Sequence, residues 1–314
     1  MADEKIKNVI IDTDNGDDID DLFTIYCLLG QKNINIVGIV CSYLNTPLRA
    51  RQVKHVLRLA HREDVPVYVG VGKSIRGYHD RPTDLQYWQY EDILMKDEYK
   101  PNSEDAEGEE AIQFLIDSAR KYKDTLYICE IAPQCTLGTA ILRDKEAFKG
   151  VHVYIMGGSF FNYYSEWNIE CDIDAARAVF ESGLDLYYVG LDVTRKTFIP
   201  DDMYERFCNV NKDDYINYLI STTKLWRSFS KRNPTLHDPL TFLTIFYDVC
   251  EFEEVEGTLL EQFNGFNSCF VRKDDPSSPK DGKYFKAKVA RTIDEEKAFK
   301  LIFGIIGIEN SVIK

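Results

Sequence analysis

Continuous apolar runs alternate with helix-patterned stretches along most of this chain, and that alternation narrows the fold more than any other feature. Runs of strand character fall at residues 9–12, 34–42, 65–70, 126–131, 151–156 and 186–189. Segments with helical periodicity occupy 20–29, 48–60, 109–122, 137–142 and 173–182. Strands that are apolar throughout are buried on both faces, and strands joined through helices run parallel. The expected class is α/β, a mainly parallel open twisted sheet flanked by helices. A mostly helical region near 205–247 is added, 274–283 is a polar turn between two late strands, and a helix runs over 295–303. Residues 71–108 are polar, aromatic and poor in period, and read as a long functional loop or a small inserted lobe. Length alone allows one large domain or two smaller ones.

Sheets of this kind bind ligands at the carboxyl ends of their strands. Asp12, Asp14, Asp17, Asp18, Asp20 and Asp21 lie at such an end, between the apolar run at 9–12 and the apolar stretch at 22–29. Like charges this close repel, and burial makes the repulsion worse. A divalent cation with oxygen ligands is the simplest offset. An EF-hand is excluded, because counting from Asp12 the glycine comes one position early and Phe23 stands at the twelfth. Acids also favour the positive end of a helix dipole, which accounts for Asp17, Asp18 and Asp20 but not for Asp12 and Asp14 at the end of a buried strand. Segments 41–45, 132–135 and 156–159 reach the same rim from other strands.

The net charge of −14 excludes a nucleic-acid-binding surface as a general feature. Eight cysteines are scattered singly without a C-x-x-C pair, which speaks against a zinc ribbon and for buried reduced thiols. No apolar run is long enough for a bilayer and the N-terminus has no signal core, so a cytoplasmic protein without a membrane partner is expected. His237-Asp238-Pro239 reads as a helix start, in which Asp238 caps or completes a metal sphere. Glu166 and Asn168 precede another helix start at 172–174 and are of the type that binds sugar hydroxyls. Asp-x-Asp after an apolar strand is also similar to the haloacid-dehalogenase-like phosphatases, with Asp12 as nucleophile and Asp14 as acid/base. Gly16 stands where that pattern wants Thr or Val.

Asp12 to Asp21, Val37-Gly38-Ile39 through Asn45, Val65 to Gly70, Ala132-Pro133-Gln134-Cys135-Thr136, Met156-Gly157-Gly158, Glu166-Trp167-Asn168, Gly190 to Thr194, His237-Asp238-Pro239-Leu240 and Val289 to Asp294 follow one another in order. Together they resemble the inosine–uridine-preferring nucleoside hydrolase family over nearly the whole chain, which implies a single domain, 1–314. The resemblance implies Ca²⁺-dependent hydrolysis of the N-glycosidic bond of small-molecule ribonucleosides, purine or pyrimidine, to ribose and free base. It implies Ca²⁺ on the side chains of Asp14, Asp21 and Asp238 and the backbone carbonyl of Cys135. Asp14 acts as general base on water and His237 protonates the leaving base, a role suited to a group titrating near neutral pH. Asp20 and Asn45 hold the 2′-hydroxyl side, Glu166 and Asn162 the 5′-hydroxyl, Met156 packs on the ribose, and Asn168 stabilises the oxocarbenium-like transition state. Asp12 orients its neighbours. A homodimer or homotetramer is implied as well.

This chain departs from the family pattern in three places. Asn15 replaces the usual Pro, and the step from Gly16 to Asp20-Asp21 is two residues longer, so that an equally literal register puts Asp18 in the place of Asp20. The stretch 226–234 is unlike the family's base-binding segment and leaves the nucleobase open. His237 argues against the purine-specific subgroup, which carries Trp there. A non-catalytic calcium–riboside binding protein is the third reading, beside the hydrolase and the phosphatase.

Overall fold

A computed structural model describes residues 6–77 and 96–313. The stretch 78–95, with most of the aromatic residues of the expected loop or lobe, lies outside the described residues.

Nine strands form one sheet: β1 (Lys7–Thr13), β2 (Ile34–Cys41), β3 (Val67–Val69), β4 (Leu126–Glu130), β5 (His152–Met156), β6 (Asp185–Val189), β7 (Cys250–Phe263), β8 (Phe266–Arg272) and β9 (Phe285–Ile293). Their order is β3-β2-β1-β4-β5-β6-β9-β7-β8. Strands β1 to β6 pair in parallel, and β9 extends that array parallel to β6. Only β7 runs antiparallel, to β9 on one side and β8 on the other. The sheet is thus mainly parallel and flanked by helices.

Successive residues of β1 point to opposite faces, and each face has its own core. Val9 and Ile11 join one apolar cluster, while Ile10 joins the other. The helices Asp20–Gly30, His237–Thr244 and Glu295–Ile306 bury Leu22, Leu240 and Ile302 on the first side. The helices Glu109–Tyr122, Cys135–Asp144 and Ile173–Phe180 bury Leu115, Leu137 and Val179 on the second. The region near 205–247 is helical as expected, with helices Asp201–Cys208, Asp214–Ser230 and His237–Thr244.

The polar segment 273–284 does separate β8 from β9, yet those strands are not neighbours, because β7 lies between them. A two-residue hairpin joins β7 to β8: Asn264 and Gly265 hold φ 49 and 85, the left-handed pair that such a turn requires.

β1 is the point where the strand order reverses, with β2 and β3 on one side and β4 to β6 on the other. The crevice beyond its carboxyl end is where this architecture places a ligand.

Candidate active site

The loop leaving β1 is fixed by its own polar atoms. Asp21 accepts the Thr13 hydroxyl at 2.6 Å and the Asp14 amide at 3.2 Å on the same oxygen. Gly16 turns the chain at φ 115, a conformation that side-chain-bearing residues rarely adopt. Arg49, from the helix Thr46–Leu59, is 1% exposed and clamps the loop from beneath. It donates to the carbonyls of Asp14, Asn15 and Tyr43 and to the Asp17 carboxylate, the last at 2.6 Å. Asn15 donates from its side chain to Gln52 at 2.7 Å and from its amide to the Thr13 hydroxyl. A proline at this position would supply neither donor.

Asp20 and Asp21 open the helix Asp20–Gly30, and Asp238 lies in the first turn of His237–Thr244. Carboxylate oxygens of these three buried residues come within 4.8 Å of one another. The Asp238 amide donates to Asp20 at 3.4 Å. Burial, then repulsion among the acids, holds all three well above the usual carboxylate range. The charges bearing on Asp238 are those of Asp20, Asp21, Asp14 and Asp18, all of its own sign. Such a set of oxygen donors fits a hard divalent cation, which replaces mutual repulsion by attraction. Asp14 is also buried and pushed up, with Arg49 offsetting part of the effect of Asp21.

These acids line a cavity of about 620 Å³. Met156, Glu166 and Asn168 form another part of its wall. Glu166 caps the helix Trp167–Cys171, accepting the amides of Asn168 and Ile169, and also takes the Gly158 amide at 3.0 Å. Asn168 donates to the carbonyls of Ile131 and Met156, each at 3.2 Å. His237, Trp226 and Arg232 line the cavity too. His237 Nδ1 sits 2.8 Å from the Thr194 hydroxyl. Burial first, then the charges of Arg232 and Arg195, pushes its imidazole down to about 3.

Eight of the residues expected at the site therefore meet there: Asp14, Asp20, Asp21, Met156, Glu166, Asn168, His237 and Asp238. Cys135, Asn45, Asn162 and Asp12 are not on the cavity wall. The helix Cys135–Asp144 starts on Cys135, whose carbonyl accepts the Thr139 hydroxyl at 2.7 Å. Ile131, at the end of β4, lines the cavity instead. Asn45 is exposed and caps the helix Thr46–Leu59 by accepting the Leu48 amide. Asn162 is exposed and donates to Asp192 at 2.8 Å. Asp17 and Asp18 precede the helix rather than starting it, and each is paired with an arginine, Arg49 and Arg232 respectively. His237 does not titrate near neutrality. Asp12 is fully buried off the cavity and accepts the Ser42 hydroxyl at 2.5 Å, so it offers no face for nucleophilic attack on a phosphate.

Arg49, Ile131, Trp226 and Arg232 had no assigned role in the sequence. Only the last two carried a signal, lying in the stretch 226–234 that departs from the family pattern.

Comparison with known proteins agrees with this geometry. The family profile described as inosine-uridine preferring nucleoside hydrolase matches residues 9–300. A probable uridine nucleosidase 2 of Arabidopsis thaliana is 27% identical, covering 94% of this chain and 96% of that protein. A pyrimidine-specific ribonucleoside hydrolase of Escherichia coli is 25% identical over 64% of each chain. Among solved structures, a plant nucleoside hydrolase shares the fold with a TM-score of 0.82, at 24% identity, covering 96% of this chain and 98% of its own. An inosine-guanosine nucleoside hydrolase shares it with a TM-score of 0.77, at 16% identity over the same shares. Among the described residues, no helix is long and apolar enough to cross a membrane.

Proposed function

The chain belongs to the inosine-uridine preferring nucleoside hydrolase family, glycosidases that act on the N-glycosyl bond of ribonucleosides, and on that premise we propose that it does so with Ca²⁺ at the aspartate cluster. The observation that carries this reading is the trio Asp20, Asp21 and Asp238, three buried acids within 4.8 Å of one another. These three would hold the ion, with Asp14 on the same cavity wall. When bound, such a cation holds vicinal hydroxyls and makes water easier to deprotonate.

Asp14 acts as general base, taking a proton from the water that attacks C1′. Asn168, fixed by the carbonyls of Ile131 and Met156, presents its amide oxygen to the positive charge that builds on the ribose. Met156 packs against the sugar, and Glu166 lies at its 5′ side. His237 is poised at the leaving base as a neutral imidazole, oriented by Thr194. The family resemblance further implies a homodimer or homotetramer.

A ribose-release assay with inosine, uridine, cytidine and adenosine, in calcium and in chelator, tests the proposal. Release in calcium that chelator abolishes supports it. Absence of release from all four with calcium present, together with tight riboside binding, would leave a binding protein.

A further inference from the structure

Arg232 is held at the cavity by two unrelated contacts. One guanidinium nitrogen donates to Asp18 at 2.9 Å, joining segments 214 residues apart. The guanidinium also lies 4.9 Å from the centre of the Trp226 ring. A guanidinium that is both stacked and ion-paired is fixed in position and orientation. Its side chain stays 47% exposed, and it lines the same cavity as His237 and the aspartates. Among the described residues, Asp18 is the one side-chain hydrogen-bond partner of that guanidinium.

The loop bearing Asp18 is two residues longer than the family's usual spacing. That extra length carries the acid that anchors Arg232, and Arg232 lies in the stretch 226–234 that is also unlike the family. Two departures from the pattern thus make a single contact.

We propose that Arg232 is a catalytic and specificity-determining residue that donates to the carbonyl oxygen at C4 of a departing uracil or C6 of a departing hypoxanthine. This rests on the N-ribohydrolase reading above. In the reaction the C1′–N bond breaks with its electron pair going to the base. The water oxygen bonds to C1′, its proton passes to Asp14 and from there to solvent, and a proton from solvent reaches the base by way of the neutral His237, so that neutral ribose and neutral base leave. In a keto base the arriving electron pair spreads onto the carbonyl oxygen. A fixed cation there stabilises the transition state more than the ground state. Arginine has donors only, so it pairs with the C4 carbonyl of uracil or the C6 carbonyl of hypoxanthine but not with the exocyclic amine that cytosine or adenine presents at the same position.

The test compares the wild type, Arg232→Gln and Arg232→Lys, each as the full chain with calcium, on uridine, cytidine and 4-nitrophenyl riboside. The last has a leaving group that needs no such help. The expected result is a kcat/KM loss in Arg232→Gln at least about tenfold larger on uridine than on the other two, the scale of one charged hydrogen bond. Arg232→Lys, which keeps the charge without the planar fork, falls between. Equal losses on all three substrates would mean that Arg232 only neutralises Asp18 and would overturn this inference while leaving the hydrolase reading intact. A wild type inactive on every substrate overturns the hydrolase reading and takes this inference with it.

Discussion

The amide of Asp238 donates to the carboxylate of Asp20 across 3.4 Å and 218 residues of chain. The contact joins two helix starts, each bringing an acid to the point where the other acid is buried. The charges of Asp20, Asp21, Asp14 and Asp18 all press on Asp238 with its own sign. The pair is therefore poorly stabilised without an ion, and that sets the first prediction.

Replacing Asp21 or Asp238 by Asn should abolish calcium binding, read by titration calorimetry. It should lower kcat/KM by about a thousandfold, the scale of losing a preorganised charge-stabilising group. Undiminished calcium affinity in both variants would place the ion elsewhere.

The ion-free protein should lose stability as pH rises. Asp12 is raised from 3.8 to about 7, mainly by burial, and Asp14, Asp20, Asp21, Asp238 and Glu130 are raised as well. An acid with a folded pKa above its unfolded value binds its proton more tightly when folded. Its stabilising contribution is complete below the unfolded value and is lost as pH climbs to the folded one. In chelator, Tm should fall between pH 4 and 7, and calcium should restore most of it at the upper end by mass action. A Tm indifferent to both pH and calcium across that range would count against the cluster as a metal site.

Arg49→Met should destabilise the fold by about 2–4 kcal/mol, because it strands the half-buried Asp17 carboxylate without its buried partner. The carbonyls of Asp14 and Asn15 lose their donor in the same step. Urea denaturation measures this, and a change below 1 kcal/mol, the range of an exposed ion pair, would show that the clamp is dispensable.

With its imidazole at about 3, His237 is neutral from pH 5 to 8 in the free protein. The kcat/KM profile should then show no limb at the usual imidazole value of 6.5. His237→Gln should lower turnover by about 10²–10⁴, the usual range for a group handling a proton. A limb near 6.5 that disappears in His237→Gln would contradict the buried, neutral state.

Much of this was readable from the sequence, for a physical reason. Carboxylates at strand ends are placed by the sheet itself, so Asp14 could be assigned to the rim before any contact was known, whereas Asp238, in the first turn of a helix, was legible there only through the family resemblance. Helix limits such as Glu109–Tyr122 follow from periodicity and match the expected 109–122. Residues that depend on loop conformation were not readable. Asn45 follows Tyr43 and Leu44, both at positive φ, and its side chain accepts the Leu48 amide. Cys135 opens a helix four residues after Ile131, the residue of this segment that lines the cavity. Strand β7 was obscured by its exposed acids, Glu251, Glu253, Glu254 and Glu261, which break the apolar run that marks the central strands. Arg49 carries no motif at all, because its role depends on the carbonyls it reaches rather than on its neighbours in sequence.

Five of the six aspartates at the cavity come from the first 21 residues, and the sixth arrives only at position 238. The site therefore closes only when two segments more than two hundred residues apart have both been made and folded together. A fragment holding the first segment without the second would keep most of the charge and lack the acid that completes the trio, so assembly of the fold itself switches the chemistry on.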